Sequence, residues 1–184
     1  AVEKHAPEFL PFVSHAKTPM SYTAEICKKE IKNAITVFIG PCVAKKHECI
    51  EDPNVEYAIT FEELDSMFKA KNIDPEKILI SESETNILDL QEGKNIGRMF
   101  PVSSGVANSV KLLFSDKEIE LKPVLINGFT DFNSVRQLAD FATKGCDGNL
   151  IEIMSCEGGC MCGPGVIEKP AKAIFRLNNF LKNK

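Results

Sequence analysis

Three thiols fall within seven residues in Cys156-Glu157-Gly158-Gly159-Cys160-Met161-Cys162, and Gly163-Pro164-Gly165 follows at once. So many glycines, with a proline, exclude a regular strand or helix interior. A loop of this composition can wrap its backbone around an inorganic group, because glycine reaches positive φ and tolerates close approach. Thiolates are soft ligands, suited to iron–sulfur clusters or zinc. The alternative is a turn carrying incidental buried cysteines, but the spacing is too tight for independent packing roles.

A fourth thiol, Cys42, stands in Gly40-Pro41-Cys42-Val43-Ala44-Lys45-Lys46-His47-Glu48. It follows 34–39, Ala-Ile-Thr-Val-Phe-Ile, a run that reads as a buried parallel strand. Cys156 follows a second apolar run at 150–154. In a parallel sheet both strand ends face one edge, so Cys42, Cys156 and Cys160 are expected to converge. The two glycines between Cys156 and Cys160 let amide N–H groups turn toward sulfur, which favours an anionic cluster. Zinc is the competing metal, although Cys-x3-Cys-x-Cys is an awkward zinc knuckle and the three histidines have no zinc spacing. A cysteine nucleophile with His47 as base fits less well, since no third group orients the pair. Cys27 reads as core, and Cys49 has no comparable setting.

The elements that must position these residues read as α/β, with a mainly parallel sheet flanked by helices. The opening residues read as the end of an amphipathic helix in an excised domain, anchored by Phe9, Leu10, Phe12 and Val13. A helix is predicted over about 21–33, with Tyr22, Ile26, Cys27 and Ile31 on its apolar side. A strand at 55–60 precedes a capping box, Thr60-Phe61-Glu62-Glu63, and a helix to about 70 carrying Phe61, Leu64 and Phe68 inward. Residues 81–100 read as a polar surface excursion. Next come a helix using Val106, Val110 and Leu113, a strand at 122–128, and a helix at 132–143 closed by Gly145. The last helix starts near Pro170, with Ile174, Leu177 and Leu181 on one face.

Composition is that of a globular domain, 43% hydrophobic and 26% charged. At 184 residues the chain has room for one core or two small lobes, taken together as one domain over 1–184. The net charge of -4 is spread along the chain, which argues against nucleic acid as a partner. No apolar run approaches membrane-spanning length and no signal-peptide pattern appears, so a cytoplasmic location is expected. Seven cysteines without secretory features point to metal or redox use more than to disulfides.

At these residues the chain resembles the active-site domain of [FeFe] hydrogenases, whose signatures are TSCCPxW, MPCxxKxxE and ExMxCxxGCxxGGGQP. Gly40 to Glu48 is similar to the second, and Glu152 to Gly165 to the third. Val2-Glu3-Lys4 through Lys17-Thr18-Pro19 resembles the stretch after the first. Phe100-Pro101-Val102-Ser103-Ser104-Gly105-Val106 resembles an FGxTGGV element. The resemblance implies an H-cluster: a [4Fe–4S] cube joined through one cysteine sulfur to a two-iron unit carrying CO, cyanide and an azadithiolate. By the same resemblance Cys42, Cys156 and Cys160 match three cube ligands, with Cys160 bridging. Lys45 matches the donor to a cyanide, Met154 a methionine beside the cluster, and Glu48 and Glu152 structural acids. Thr18 falls where a proton-relay serine lies. H2 and protons would be the substrates, with electron-carrier or signalling domains upstream.

The sequence also departs from the family. The first signature is absent, and with it the fourth cube ligand and a neighbouring proton-passing cysteine. Gly40 replaces a methionine, Gly163-Pro164-Gly165 replaces GGG without the following Gln-Pro, and Ser104 replaces a glycine. Cys162 is extra, and is a candidate substitute thiolate. These changes point to a divergent branch, and three readings compete: part of a hydrogenase, an H2- or redox-sensing domain, and an iron–sulfur assembly protein. The fragment by itself is expected to be catalytically silent, and a metal-free state as isolated fits its missing ligand.

Overall fold

The computed structural model describes residues 2–78, 95–129 and 131–182. Residues 81–94 of the expected surface excursion therefore lie outside the described residues. The chain opens with α1 (Val2–His5), a 3-10 helix (Pro7–Phe12) and α2 (Pro19–Glu30). Then follow β1 (Val37–Gly40), α3 (Ala44–Glu51), β2 (Tyr57–Thr60) and α4 (Phe61–Ala70). The second half has α5 (Asn95–Arg98), α6 (Gly105–Leu113), β3 (Pro123–Asn127), α7 (Phe132–Lys144), β4 (Leu150–Met154) and α8 (Pro170–Lys182). Helices and parallel strands are mixed as the pattern predicts.

The sheet, however, is divided. β1 pairs with β2, Val37 opposite Tyr57 and Gly40 opposite Thr60. β3 pairs with β4, Pro123 opposite Leu150 and Asn127 opposite Met154. Among the described residues each is a two-stranded parallel sheet, and there the strands before Cys42 and Cys156 do not share one edge. β1 is also not buried on both faces. Phe38 packs toward Met20, Ala24 and Val55, whereas Val37 and Ile39 on the other face are exposed. Alternation beats the apolar composition here, because α2 and its neighbours cover one side only.

Two cores result. One gathers Met20, Ala24 and Val55 with Phe38 and Cys49. The other gathers Ala6, Ile126, Phe129 and Leu138, with Phe9, Val135, Phe141, Ile151 and Ile153 against it. Of the four expected N-terminal anchors Phe9 packs here, and Ala6 and Val2 anchor the segment with it. Phe12 is 82% exposed, and Leu10 and Val13 are also outside. On α2 the buried positions are Met20, Ser21 and Ala24, while Tyr22 and Ile26 face out. The pattern predicted a stripe shifted by two residues, because it began the helix after the Pro19 that occupies its first turn. On α6 the buried face is Gly105, Ala107 and Ser109, and Leu113 is exposed. That helix lies on small residues, and Ser109 bonds the Ile96 carbonyl of α5 at 2.9 Å.

The end signals are realised more faithfully than the stripes. Thr60 caps α4 reciprocally with Glu63. Gly145 closes α7 at φ 79. Proline opens α8 as expected. Phe61, Leu64 and Phe68 line an apolar groove of about 520 Å³ against Leu177 and Phe180 of α8, with Pro41 and Met161 at its cysteine-loop side. No described helix is long and apolar enough to cross a membrane.

Candidate functional site

Loop-to-loop bonds join the two cysteine segments, in place of a common sheet edge. The Gly165 amide donates to the Pro41 carbonyl at 3.0 Å, one residue from Cys42. The Met161 amide donates to the Pro101 carbonyl at 3.1 Å, and the Ser103 amide to the Gly158 carbonyl at 3.3 Å. Three chain segments around residues 41, 101 and 160 therefore close on one another. Glycine is required for this. A Cβ on Gly159, at φ 87, would sit 2.6 Å from both the Pro101 oxygen and the Ser103 nitrogen. The Gly158 amide is held from β3, donating to Asn127 Oδ1 at 2.8 Å.

Within this closure the thiols sense one another. Burial pushes the Cys160 thiol up from its ordinary range; Cys42 and Cys156 push it further, and the Lys45 ammonium partly offsets them. Burial likewise raises Cys156, with Cys42 and Cys162 adding to it. Cys42, Cys156, Cys160, Cys162 and Lys45 are thus one neighbourhood. All seven cysteines are free thiols. Among the described residues, no three His, Cys, Asp or Glu side chains are gathered closely enough to hold a single metal ion.

Cys42 precedes α3, and its carbonyl accepts the Lys45 amide at 3.3 Å. One turn on, the Lys45 ammonium pairs with Glu48 Oε2 at 2.5 Å. Glu48 Oε1 takes the hydroxyl of Thr18. Thr18 in turn caps α2, accepting the Ser21 amide at 3.4 Å. The predicted relay hydroxyl and the predicted cationic donor therefore share one carboxylate. Met154 ends β4, and its carbonyl accepts the Gly128 and Phe129 amides at 2.8 and 2.9 Å.

His47 lies outside this neighbourhood, exposed on α3 and 3.6 Å from Glu51. Cys27 is half-buried on α2. Cys49 belongs to the first core, its Sγ donating to the Val55 carbonyl at 3.4 Å.

Sequence reasoning missed what Glu152 does. This nearly buried carboxylate on β4 accepts the Ser104 amide at 2.8 Å and the Ala107 amide at 2.6 Å. It thereby caps α6, whose own preceding residue Ser104 offers no side-chain cap and sits at φ 71. No local signal pointed to it, because Ser104 is by type a favoured cap residue and only its φ of 71 takes it out of that role. Glu152 joins the strand under the cysteine loop to the 101–105 turn against which the loop closes.

A mixed α/β chain with closely set thiols beside a lysine is the pattern of the iron-only hydrogenase large subunit, C-terminal domain, whose family model matches residues 1–164. The chain belongs to that family. It is 27% identical to the periplasmic [Fe] hydrogenase large subunit of Nitratidesulfovibrio vulgaris, an alignment covering 99% of this chain and 54% of that protein. To iron hydrogenase 1 of Clostridium pasteurianum it is 26% identical, covering 89% of this chain and 35% of the relative. The [FeFe]-hydrogenase HydA1 of Chlamydomonas reinhardtii superposes with a TM-score of 0.63 at 18% identity, over 98% of this chain and 62% of that one. The chain thus spans from about a third to about half the length of these curated relatives. One relative is periplasmic by name, so kinship does not carry the cytoplasmic expectation.

Proposed function

We propose that Cys42, Cys156 and Cys160 hold an iron–sulfur cluster of the hydrogenase type, in a protein that interconverts protons, electrons and H2. The observation that supports this reading is the mutual influence of the three thiols at Cys160, within burial that raises both Cys156 and Cys160. Two thiols raised first by burial and then by neighbouring thiols mark a site short of positive charge, which iron supplies. The donor set fits such a group: it is soft and contains no imidazole. When bound, the metal group would supply electron storage and the place where protons are reduced.

The chain's own residues orient and charge the site. Lys45 presents an ammonium toward the thiolates, and Glu48 fixes where that ammonium can reach. Thr18 and Glu48 form a hydrogen-bonded path that ends on Lys45, along which a proton can be held at Thr18 Oγ1 or Lys45 Nζ. Met154, at the end of β4, is read as packing beside the cluster. The two-iron unit, H2 and protons as substrates, and electron carriers as partners belong to this same reading. So does the assignment of 1–184 to one domain with two small cores.

The test is anaerobic reconstitution of the chain with ferrous iron and sulfide, compared with Cys42→Ala, Cys156→Ala and Cys160→Ala. Visible and electron paramagnetic resonance spectra of a cluster are expected for the parent chain and are expected to be lost or altered in each variant. Equal iron uptake by all four proteins, or none by any, would sink the reading.

A further inference from the structure

Gly158, midway between Cys156 and Cys160, is gripped at both of its backbone polar groups. Its N–H donates to Asn127 Oδ1 at 2.8 Å, and its carbonyl accepts the Ser103 amide at 3.3 Å. Gly158 stands at φ 85, and Cys162 Sγ lies 2.6 Å from where a Cβ would be, so no side chain of its own could brace it. Other amides of the loop are met by carbonyls: Gly159 by Cys156, Met161 by Pro101, Cys162 by Gly159 and Gly163 by Cys160. Among the described residues, Asn127 is the one side chain from outside the loop that takes an amide of residues 156–163.

The mounting of Asn127 suits that task. It ends β3 directly opposite Met154, which ends β4, so the loop leaving β4 turns back over the end of β3. Gly128, at φ 90, bends the chain there, and a Cβ on it would meet Glu157 Cβ at 3.4 Å, so the two turns lie in contact. Ser134 Oγ of α7 donates to the Gly128 carbonyl at 3.2 Å, and Phe129 is buried in the second core. The bond on Gly158 is therefore referred to a strand and a helix rather than to another loop. Asn127 itself is exposed, so its bond is of ordinary strength and its loss should loosen the loop while leaving the fold intact.

We propose that Asn127 is a positioning residue for the cysteine loop: its side-chain carbonyl fixes the Gly158 peptide and thereby the direction in which Cys156 and Cys160 leave the loop. The inference rests on the cluster reading above for its purpose, and on backbone geometry alone for its placement. Gly158 is two residues from each thiol, so a rotation of that one peptide re-aims both. Its N–H, which the glycine spacing leaves able to turn toward sulfur, is engaged by oxygen instead.

The test compares the full 184-residue chain with Asn127→Ala and with Asn127→Asp, which keeps an oxygen acceptor. In the metal-free protein, Asn127→Ala should exchange the Gly158 amide and alkylate Cys156 and Cys160 roughly fivefold to tenfold faster than the parent. Cys49, in the first core, should keep the parent's rate. Asn127→Asp should bring the loop rates back near the parent's. The proposal is overturned if Asn127→Ala leaves the loop rates unchanged. It is overturned equally if Cys49 speeds up as much as the loop thiols, since the residue would then only stabilise the fold. After anaerobic reconstitution with ferrous iron and sulfide, Asn127→Ala should surrender iron to a chelator several-fold faster than the parent. Asn127→Asp should retain it, at a lower reduction potential, because a negative charge now stands beside the loop. Parent-like iron loss in Asn127→Ala, or a parent-like potential in Asn127→Asp, also overturns the proposal. A parent chain that takes up no cluster defeats the cluster reading instead, and the metal-free rates then decide the role of Asn127 by themselves.

Discussion

Lys45 and Glu48, one turn apart on α3, form an ion pair whose carboxylate also receives the Thr18 hydroxyl that caps α2. The arrangement links the start of one helix to a charged side chain beside the thiols. Removing the hydroxyl takes away both the cap and the carboxylate's second donor. Thr18→Val should cost about 1–2 kcal/mol, read as a lower urea midpoint at unchanged slope. Thr18→Ser should restore most of it. Because the two residues share one bond, Thr18→Val and Glu48→Gln should be clearly non-additive in a double-mutant cycle.

Glu152→Gln tests the remote cap on α6. The carboxylate uses one oxygen for Ser104 and the other for Ala107, and an amide offers one acceptor and turns a donor on the remaining N–H. A loss of about 2 kcal/mol is expected from the unmade charge-assisted bond. Denaturation should show it. Hydrogen exchange should speed first at the Ser104 and Ala107 amides, and unchanged exchange there would refute the assignment.

Two glycines at similar φ separate strain from collision. Gly145 has φ 79 and open space around a would-be Cβ, so Gly145→Ala meets only the strained backbone, about 1–3 kcal/mol. Gly159 has φ 87, and its Cβ would strike the Pro101 and Ser103 backbone as well. Gly159→Ala should therefore cost at least about 2 kcal/mol more, since backbone cannot move aside as a side-chain tip can. It should also make Cys156 and Cys160 alkylate faster by opening the loop. Equal costs at the two glycines would mean that the loop does not close on residues 101–103 as described.

The Glu56 carboxyl is lowered to about 2, first by its bond from the Lys28 ammonium and then by the Thr36 hydroxyl and amide. Its folded-state value is depressed, so its contribution is fully present above the unfolded value of about 4.3. It is lost as pH falls from there toward 2. The stability difference between parent and Glu56→Gln should thus be greatest near neutrality and vanish by about pH 2. Salt should shrink it, because the pair is at the surface. A difference that grows on acidification would reverse the sign and overturn the account.

Element ends were readable because their causes are local. A Thr-x-x-Glu box, a proline in a first turn and a glycine at a C-terminus each act within four residues, and all three are found where the pattern puts them. Buried faces were less readable. Ile26 and Leu113 are as apolar as any core residue, yet both are exposed, because what covers a helix face belongs to another part of the chain. The division of the sheet into two pairs was invisible for the same reason. Apolar, β-branched strands reveal that they will pair, and not with which neighbour.

By itself the sequence determined which side chains are on offer: soft thiols at fixed spacing, glycines able to turn between them, and a lysine three residues past Cys42. Side-chain type and short spacing are covalent facts, and no folding is needed to state them. Only the tertiary structure decided how the halves meet, through Gly165 and Met161 bonding the carbonyls of Pro41 and Pro101. It alone decided that Glu48 serves Thr18 and Lys45 together, that Glu152 starts a helix more than forty residues before it in the chain, and that Cys162 folds back over Gly158. Such pairings depend on which surfaces and backbone groups remain unsatisfied once every element has formed, and that is a property of the whole chain.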